Sequence, residues 1–147
     1  MHLLPNQYYL MIVGDGPYRE ELEHMASDLQ DRVIFLGNRM NIPQLLEFAD
    51  AFVHMPEWEE GFGITVIEAL AAGKVCIVAN SGAMPEIITD GVDGFIVEKG
   101  NVMELANCLM ELGKEKIDII RKNATQKATC FSMKKYCSTL DRLILRN

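Results

Sequence analysis

The sequence predicts an α/β layer fold. Short apolar runs alternate with segments of helical periodicity, and glycine and proline punctuate the joins. The runs are continuous rather than alternating, which is how parallel strands covered on both faces read. The expected arrangement is three layers, a parallel sheet between helices. Ligands in such folds gather at the carboxyl ends of the strands.

Each element follows from its residues. Gln7 to Val13 is an apolar strand, ended by the turn Gly14-Asp15-Gly16-Pro17. Leu22, Met25, Ala26 and Leu29 then recur at helical spacing. Val33 to Gly37 is a second strand, and Ile42, Leu45, Leu46 and Ala49 mark a brief helix. Ala51 to His54 is a third strand. Ile64 to Ala72 is a helix between Gly63 and Gly73, and Val75 to Ala79 a fourth strand. A short helix is expected over Met84 to Thr89 and a strand over Gly94 to Val97. Helices are expected over Val102 to Leu112, Lys116 to Lys127 and Ser132 to Leu145. No repeat, low-complexity stretch or long linker divides the 147 residues, so one domain spanning 1–147 is expected.

Composition narrows the function. Nearly half the residues are apolar, enough for a packed core without staples. No apolar run is long enough to span a bilayer, and the first residues lack the features of a signal peptide. Cys76, Cys108, Cys130 and Cys137 form no metal-type pair; buried or partly buried thiols in a reducing compartment are expected, which points to the cytoplasm. Cys130 and Cys137 share a helix face if that segment is continuous. The net charge is −7, unevenly spread. Residues 1–113 hold five Lys and Arg against eighteen Asp and Glu; residues 114–147 hold nine against three. The acidic body argues against nucleic-acid binding. The basic end is either a solvated helix face or a surface for anionic lipid or an acidic partner.

The chemistry concentrates in Glu60-Gly61-Phe62-Gly63-Ile64-Thr65-Val66-Ile67-Glu68. Glu68 is the one charge between Gly61 and Gly73. A carboxylate on so apolar a helix either faces solvent or needs strong donors. A vicinal diol, such as that of a ribose, can donate to both its oxygens. Gly61 and Gly63 let backbone amides approach a ligand, although such glycines also serve plain turns. The helix N-terminus behind them suits a diphosphate. Glu60 stands at the mouth of the same pocket. Together these describe a nucleoside-diphosphate sugar.

The sequence resembles the C-terminal domain of family 4 glycosyltransferases, the group 1 glycosyl transferases of GT-B fold. The resemblance runs in family order through Val13-Gly14-Asp15-Gly16-Pro17, Arg32 to Gly37, Ala49 to Val53, Glu60-Gly61-Phe62-Gly63, Glu68 to Gly73, Pro85-Glu86 and Asp90 to Phe95. It covers most of the chain. Glu60 and Glu68 match the family's paired glutamates, with seven residues between them. The resemblance implies a Rossmann-like domain, the donor half of an enzyme that transfers a hexose-type sugar with retention and without a metal. No Asp-x-Asp triplet is present, in agreement. It implies that Glu68 binds the donor ribose and that Glu60, the catalytic candidate, contacts the sugar and stabilises its developing positive charge. Gly61 belongs to the same donor loop. Amides of Phe62, Gly63 and Ile64 would meet sugar or phosphates, and Gly37, Asn38 and Arg39 would lie near the base. Gly14 and His54 are further candidates; such a histidine either approaches the donor or is hydrogen-bonded near the surface.

Some residues depart from the family pattern. Gly82-Ala83 replaces Gly-Gly, Lys74-Val75 replaces a proline after the helix-ending glycine, and Met55 to Glu59 replaces a Pro-Ser turn. Trp58 is expected to pack under that loop or to stack on a sugar. Asp90-Gly91-Val92-Asp93-Gly94 reads as a turn rather than a calcium loop. Family enzymes also carry an upstream Arg and Lys that clamp the diphosphate, and an N-terminal domain that binds a glycan or lipid acceptor. Neither is in this sequence, so a segment lacking those parts is expected, inactive alone. The alternative is a non-catalytic nucleotide-sugar-binding module or partner subunit.

Overall fold

The computed structural model describes residues 1–144. The chain divides into two compact units, one from Met1 to Ile42 and one from Pro43 onward. All strand pairings within the named strands are parallel, in a two-stranded and a three-stranded sheet.

In the first unit β1 (Leu10–Val13) pairs with β2 (Val33–Gly37), with Leu10 opposite Val33 and a bulge after Ile12. The strand is shorter than the run from Gln7 predicts. The Tyr8 amide donates to the Pro5 carbonyl, and the Arg32 guanidinium donates to the carbonyls of Met1, Leu4, Pro5 and Tyr8. Those bonds hold the lead-in as turns, away from the ladder. Between the strands, α1 (Arg19–Met25) stops before the predicted Ala26 and Leu29. A 3-10 segment, Ser27–Arg32, follows and bends at Gln30, which has a φ of 51°. Met11, Val13 and Ile34 remain exposed, so this sheet is not covered on both faces as expected.

The second unit begins in α2 (Ile42–Phe48) and holds the core. The sheet order is β3 (Ala51–His54), β4 (Val75–Ala79), β5 (Phe95–Val97). The central β4 is buried along its whole length, as its uninterrupted apolar run requires. Val75, Ile77, Phe95 and Val97 pack with Ile120 of α6 (Lys114–Ala128) and with Leu105 and Leu109 of α5 (Val102–Met110). The Cys76 Sγ lies 3.8 Å from the Val66 carbonyl oxygen, so the other side of β4 meets α3 (Ile64–Ala71). Val66, Ala69 and Leu70 form the buried face of α3, while Ala71 is exposed.

The ends of the elements have local causes. Gly73, with a φ of 65°, closes α3, and the Lys74 amide donates to the Ala69 carbonyl at 3.0 Å. Val75 enters β4 opposite Ala51. The short helix α4 (Met84–Ile87) ends early because Ile88 is extended, and the Thr89 amide donates to the Asp93 carboxylate. Asp90 accepts from the Ile96 amide, so the Asp90 to Gly94 segment is a turn whose carboxylates hold backbone. Asn101 caps α5 by accepting from the Glu104 amide. A 3-10 turn, Thr129–Phe131, and extended Ser132 separate α6 from α7 (Met133–Ile144). Cys130 and Cys137 therefore lie on different elements, not one face, and both are exposed rather than buried. The predicted last helix reached Leu145, which lies outside the described residues. Among the described residues, no helix is long and apolar enough to cross a membrane.

Candidate functional site

The site residues of the second unit gather where β3 ends and α3 begins. Gly63 caps α3 with a φ of 68°, a left-handed conformation that favours glycine. A Cβ there would stand 2.5 Å from Met84 Cε, so the end of the Met84 side chain would also have to shift. Gly61 differs: its φ is ordinary and a Cβ would meet no atom within 4 Å. Gly61 leaves open space, while Gly63 is required by the turn. Phe62 and Ile64 are exposed beside them.

Glu60 is held at both its backbone and its carboxylate. The Ala83 amide donates to the Glu60 carbonyl at 2.9 Å. Gly82 presses against the same peptide: with a φ of 56°, its Cβ would lie 2.4 Å from the Glu60 oxygen and 2.8 Å from its nitrogen. Ala83 has ordinary helical angles, which any residue adopts. Only the first position of the family's glycine pair therefore has to be glycine, which accounts for Gly82-Ala83. The sequence marked this pair as a departure and missed its contact with Glu60.

At the other end, Glu60 Oε1 accepts from the Phe62 amide at 3.4 Å and from the Gly63 amide at 3.3 Å. These two amides were expected to face a ligand; here the chain's own carboxylate occupies them. They hold the Glu60 carboxyl below its ordinary range, Phe62 first and Gly63 next, with desolvation opposing and His54 adding a smaller pull. Glu60 Oε2 lies 3.7 Å from His54 Nε2, too long for a hydrogen bond. That nitrogen is buried and has no hydrogen-bond partner among the described residues. Of the two expectations for His54, the surface hydrogen bond is therefore not seen at Nε2.

Glu68 stands exposed on α3 beside Thr65, with Ile64 one turn earlier. Of the two alternatives for Glu68, facing solvent or being buried among strong donors, the structure shows the first. Among the described residues no hydrogen bond or ion pair engages its carboxylate, which is open to a ligand. Trp58 is 69% exposed, so it does not pack under its loop. Met55, Pro56 and Glu57 of that loop line a small apolar hollow with Lys99 and Val102; neither Glu60 nor Glu68 reaches it.

In the first unit, Gly14 and Gly37 meet: the Gly14 amide donates to the Gly37 carbonyl at 2.9 Å, and both have positive φ. Asn38 and Arg39 follow, exposed. The scarcity of cations in residues 1–113 is deeper than the count suggests. Arg19 pairs with Asp15 and Glu23, and Arg32 binds backbone carbonyls. Lys74 reaches the Glu47 carbonyl and Lys99 the Glu57 carbonyl. Arg39 alone of the five has no hydrogen bond or ion pair among the described residues. No group of His, Cys, Asp and Glu there could hold a metal ion.

Known proteins share this architecture. The chain is 35% identical over 121 residues to the N-acetyl-alpha-D-glucosaminyl L-malate synthase of Bacillus anthracis, covering 81% of this chain and 31% of that protein. It is 31% identical over 130 residues to the UDP-Gal:alpha-D-GlcNAc-diphosphoundecaprenol alpha-1,3-galactosyltransferase of Escherichia coli, covering 86% of this chain and 33% of that one. It thus spans about a third of the length of these curated relatives. The Anabaena Alr3699/HepE crystal structure in complex with UDP superposes with a TM-score of 0.83 at 31% identity, covering 94% of this chain and 42% of that one. The same protein in complex with UDP-glucose gives 0.79 at 33%, covering 86% and 37%. The family described as glycosyl transferases group 1 matches residues 1–129. With its parallel αβ units of GT-B type and the Glu60 to Glu68 segment in place, this chain belongs to the glycosyl transferases group 1 family.

Proposed function

We propose that this chain is the donor-binding part of a retaining glycosyltransferase, moving a hexose-type sugar from a nucleoside diphosphate to a glycan or lipid acceptor. The observation that carries the reading is the fixed Glu60 carboxylate at the mouth of α3, with Glu68 open one turn into that helix. Glu68 takes the two ribose hydroxyls. Glu60 takes a sugar hydroxyl and opposes the positive charge that develops at the anomeric carbon. The α3 amides take phosphate or sugar oxygens. Gly37, Asn38 and Arg39 serve the base.

The UDP and UDP-glucose complexes of Alr3699/HepE support a nucleoside-diphosphate donor. The acceptor named for the E. coli relative, a diphosphoundecaprenol-linked sugar, supports a lipid or glycan acceptor bound by other parts of the protein. A metal is not required in this reading, because amides and cations neutralise the diphosphate. This segment has few free cations of its own, so by itself it binds a donor weakly and transfers nothing. Work at the cytoplasmic face of a membrane fits the exposed helix α7, where Lys134, Lys135 and Arg142 lie opposite Met133, Tyr136 and Leu140. The test is titration of UDP-, GDP- and ADP-sugars against the full-length protein and its Glu68→Ala variant. Equal affinities in the two proteins sink the ribose assignment.

A further inference from the structure

The pair His54 and Glu60 contains an unsatisfied polar atom. His54 Nε2 is buried without a hydrogen bond among the described residues, a costly state for a polar nitrogen. Its ring is held in place. His54 closes β3 in register with Val78, and its ring stacks on Phe52 at 12° and 6.3 Å between centroids. With the ring placed by the strand and the stack, a partner can come to it.

Glu60 is the neighbour able to do so. Its Oε2 is 3.7 Å away, and its Oε1 bonds to the amides are longer than the usual amide–oxygen distance. Those amides face the α3 N-terminus, where the donor reading places phosphate or sugar oxygens. A bound donor would compete for them, and an anionic one would repel the carboxylate. Glu60 would then lose its present donors at the moment its position matters.

Resting on that donor reading, we propose that His54 is a positioning residue for Glu60, its Nε2–H donating to the carboxylate when a donor takes the Phe62 and Gly63 amides. A shift of under an ångström brings Oε2 from 3.7 Å into hydrogen-bond range of Nε2. The exchange satisfies the orphaned nitrogen and keeps the negative charge beside the sugar. His54 need not touch the donor.

The experiment uses full-length protein and follows release of nucleoside diphosphate from UDP-glucose or GDP-mannose, whichever it turns over. Wild type is compared with His54→Phe, His54→Gln and Glu60→Gln. His54→Phe is expected to lower kcat at least about tenfold, the scale of a misplaced reacting group, with KM and the affinity for free UDP or GDP within about twofold. His54→Gln, whose amide N–H can stand near the Nε2 position, is expected to recover most of the loss. Full wild-type turnover in His54→Phe overturns the proposal. So does His54→Gln as slow as His54→Phe, or a loss of nucleotide affinity parallel to the loss of turnover, which marks a merely structural histidine. Glu60→Gln at wild-type turnover removes the donor reading itself. Glu60→Gln slow beside a fast His54→Phe removes only the positioning role.

Discussion

Gly82 and Glu60 share one space. The Gly82 backbone lies so close to the Glu60 peptide that a Cβ would stand 2.4 Å from the Glu60 carbonyl oxygen, and the next amide, of Ala83, bonds to that oxygen. The loop after β4 thereby fixes where Glu60 leaves the backbone. Gly82→Ala is expected to cost about 2 kcal/mol or more, since it adds a backbone clash to the strain of a positive φ. Turnover by the full-length protein should fall with it. Ala83→Gly is the control, and thermal melting of both variants checks the contrast: a small change for Ala83→Gly and a shift of several degrees for Gly82→Ala.

The two glycines around Phe62 should behave differently. Gly63→Ala meets Met84 and keeps a φ of 68°, so a loss of about 1–2 kcal/mol is expected. Gly61→Ala meets nothing and should change stability by less than about 0.5 kcal/mol. Denaturant midpoints of the two variants measure this. A Gly61 variant that is stable but has lost donor affinity would show that the open space belongs to the ligand.

Acid should loosen the Glu60 loop later than an ordinary carboxylate would suggest. The amides of Phe62 and Gly63 lower the carboxyl's affinity for a proton in the folded chain. A depressed folded value gives stability that is present above the unfolded value and lost as pH falls through the folded one. Carboxyl-carbon NMR of Glu60 should therefore show a midpoint below the ordinary glutamate value. A midpoint above that value would mean that the two amide bonds do not hold in solution.

The cysteines should react in two classes. Burial pushes the Cys76 thiol up to about 12 and Cys108 up to about 11, so thiolate is scarce at both near neutral pH. Cys130 and Cys137 are exposed. Alkylation by iodoacetamide at pH 8, read by mass spectrometry, should label these two first, and Cys76 only on unfolding. Early labelling of Cys76 would contradict the buried packing of β4.

What was legible in the sequence was what depends on periodicity. The run Val75 to Ala79 reads as a strand covered on both faces and is buried along its length, and α3 begins and ends at its two glycines. What escaped were features set by contacts between distant residues. Arg32 draws the first eight residues into turns, which shortened β1. Glu60 and Glu68 stood out through their spacing and family resemblance. The residue pattern left Glu68 either facing solvent or buried among donors, and only the assembled α3 shows that its face is open. Gly82 and His54 gave no local signal of their tie to Glu60, since that tie exists only once β3, β4 and α3 are assembled.

The central claim is that the Glu60 to Glu68 segment binds a nucleoside-diphosphate sugar through its ribose. Calorimetric titration of UDP-glucose, GDP-mannose and ADP-glucose into full-length wild type and Glu68→Ala tests it most directly. The expected result is one preferred donor in wild type and a loss of at least about tenfold in its affinity in Glu68→Ala, the scale of removing a charged hydrogen-bond acceptor. Equal affinities for that donor in the two proteins would contradict the account.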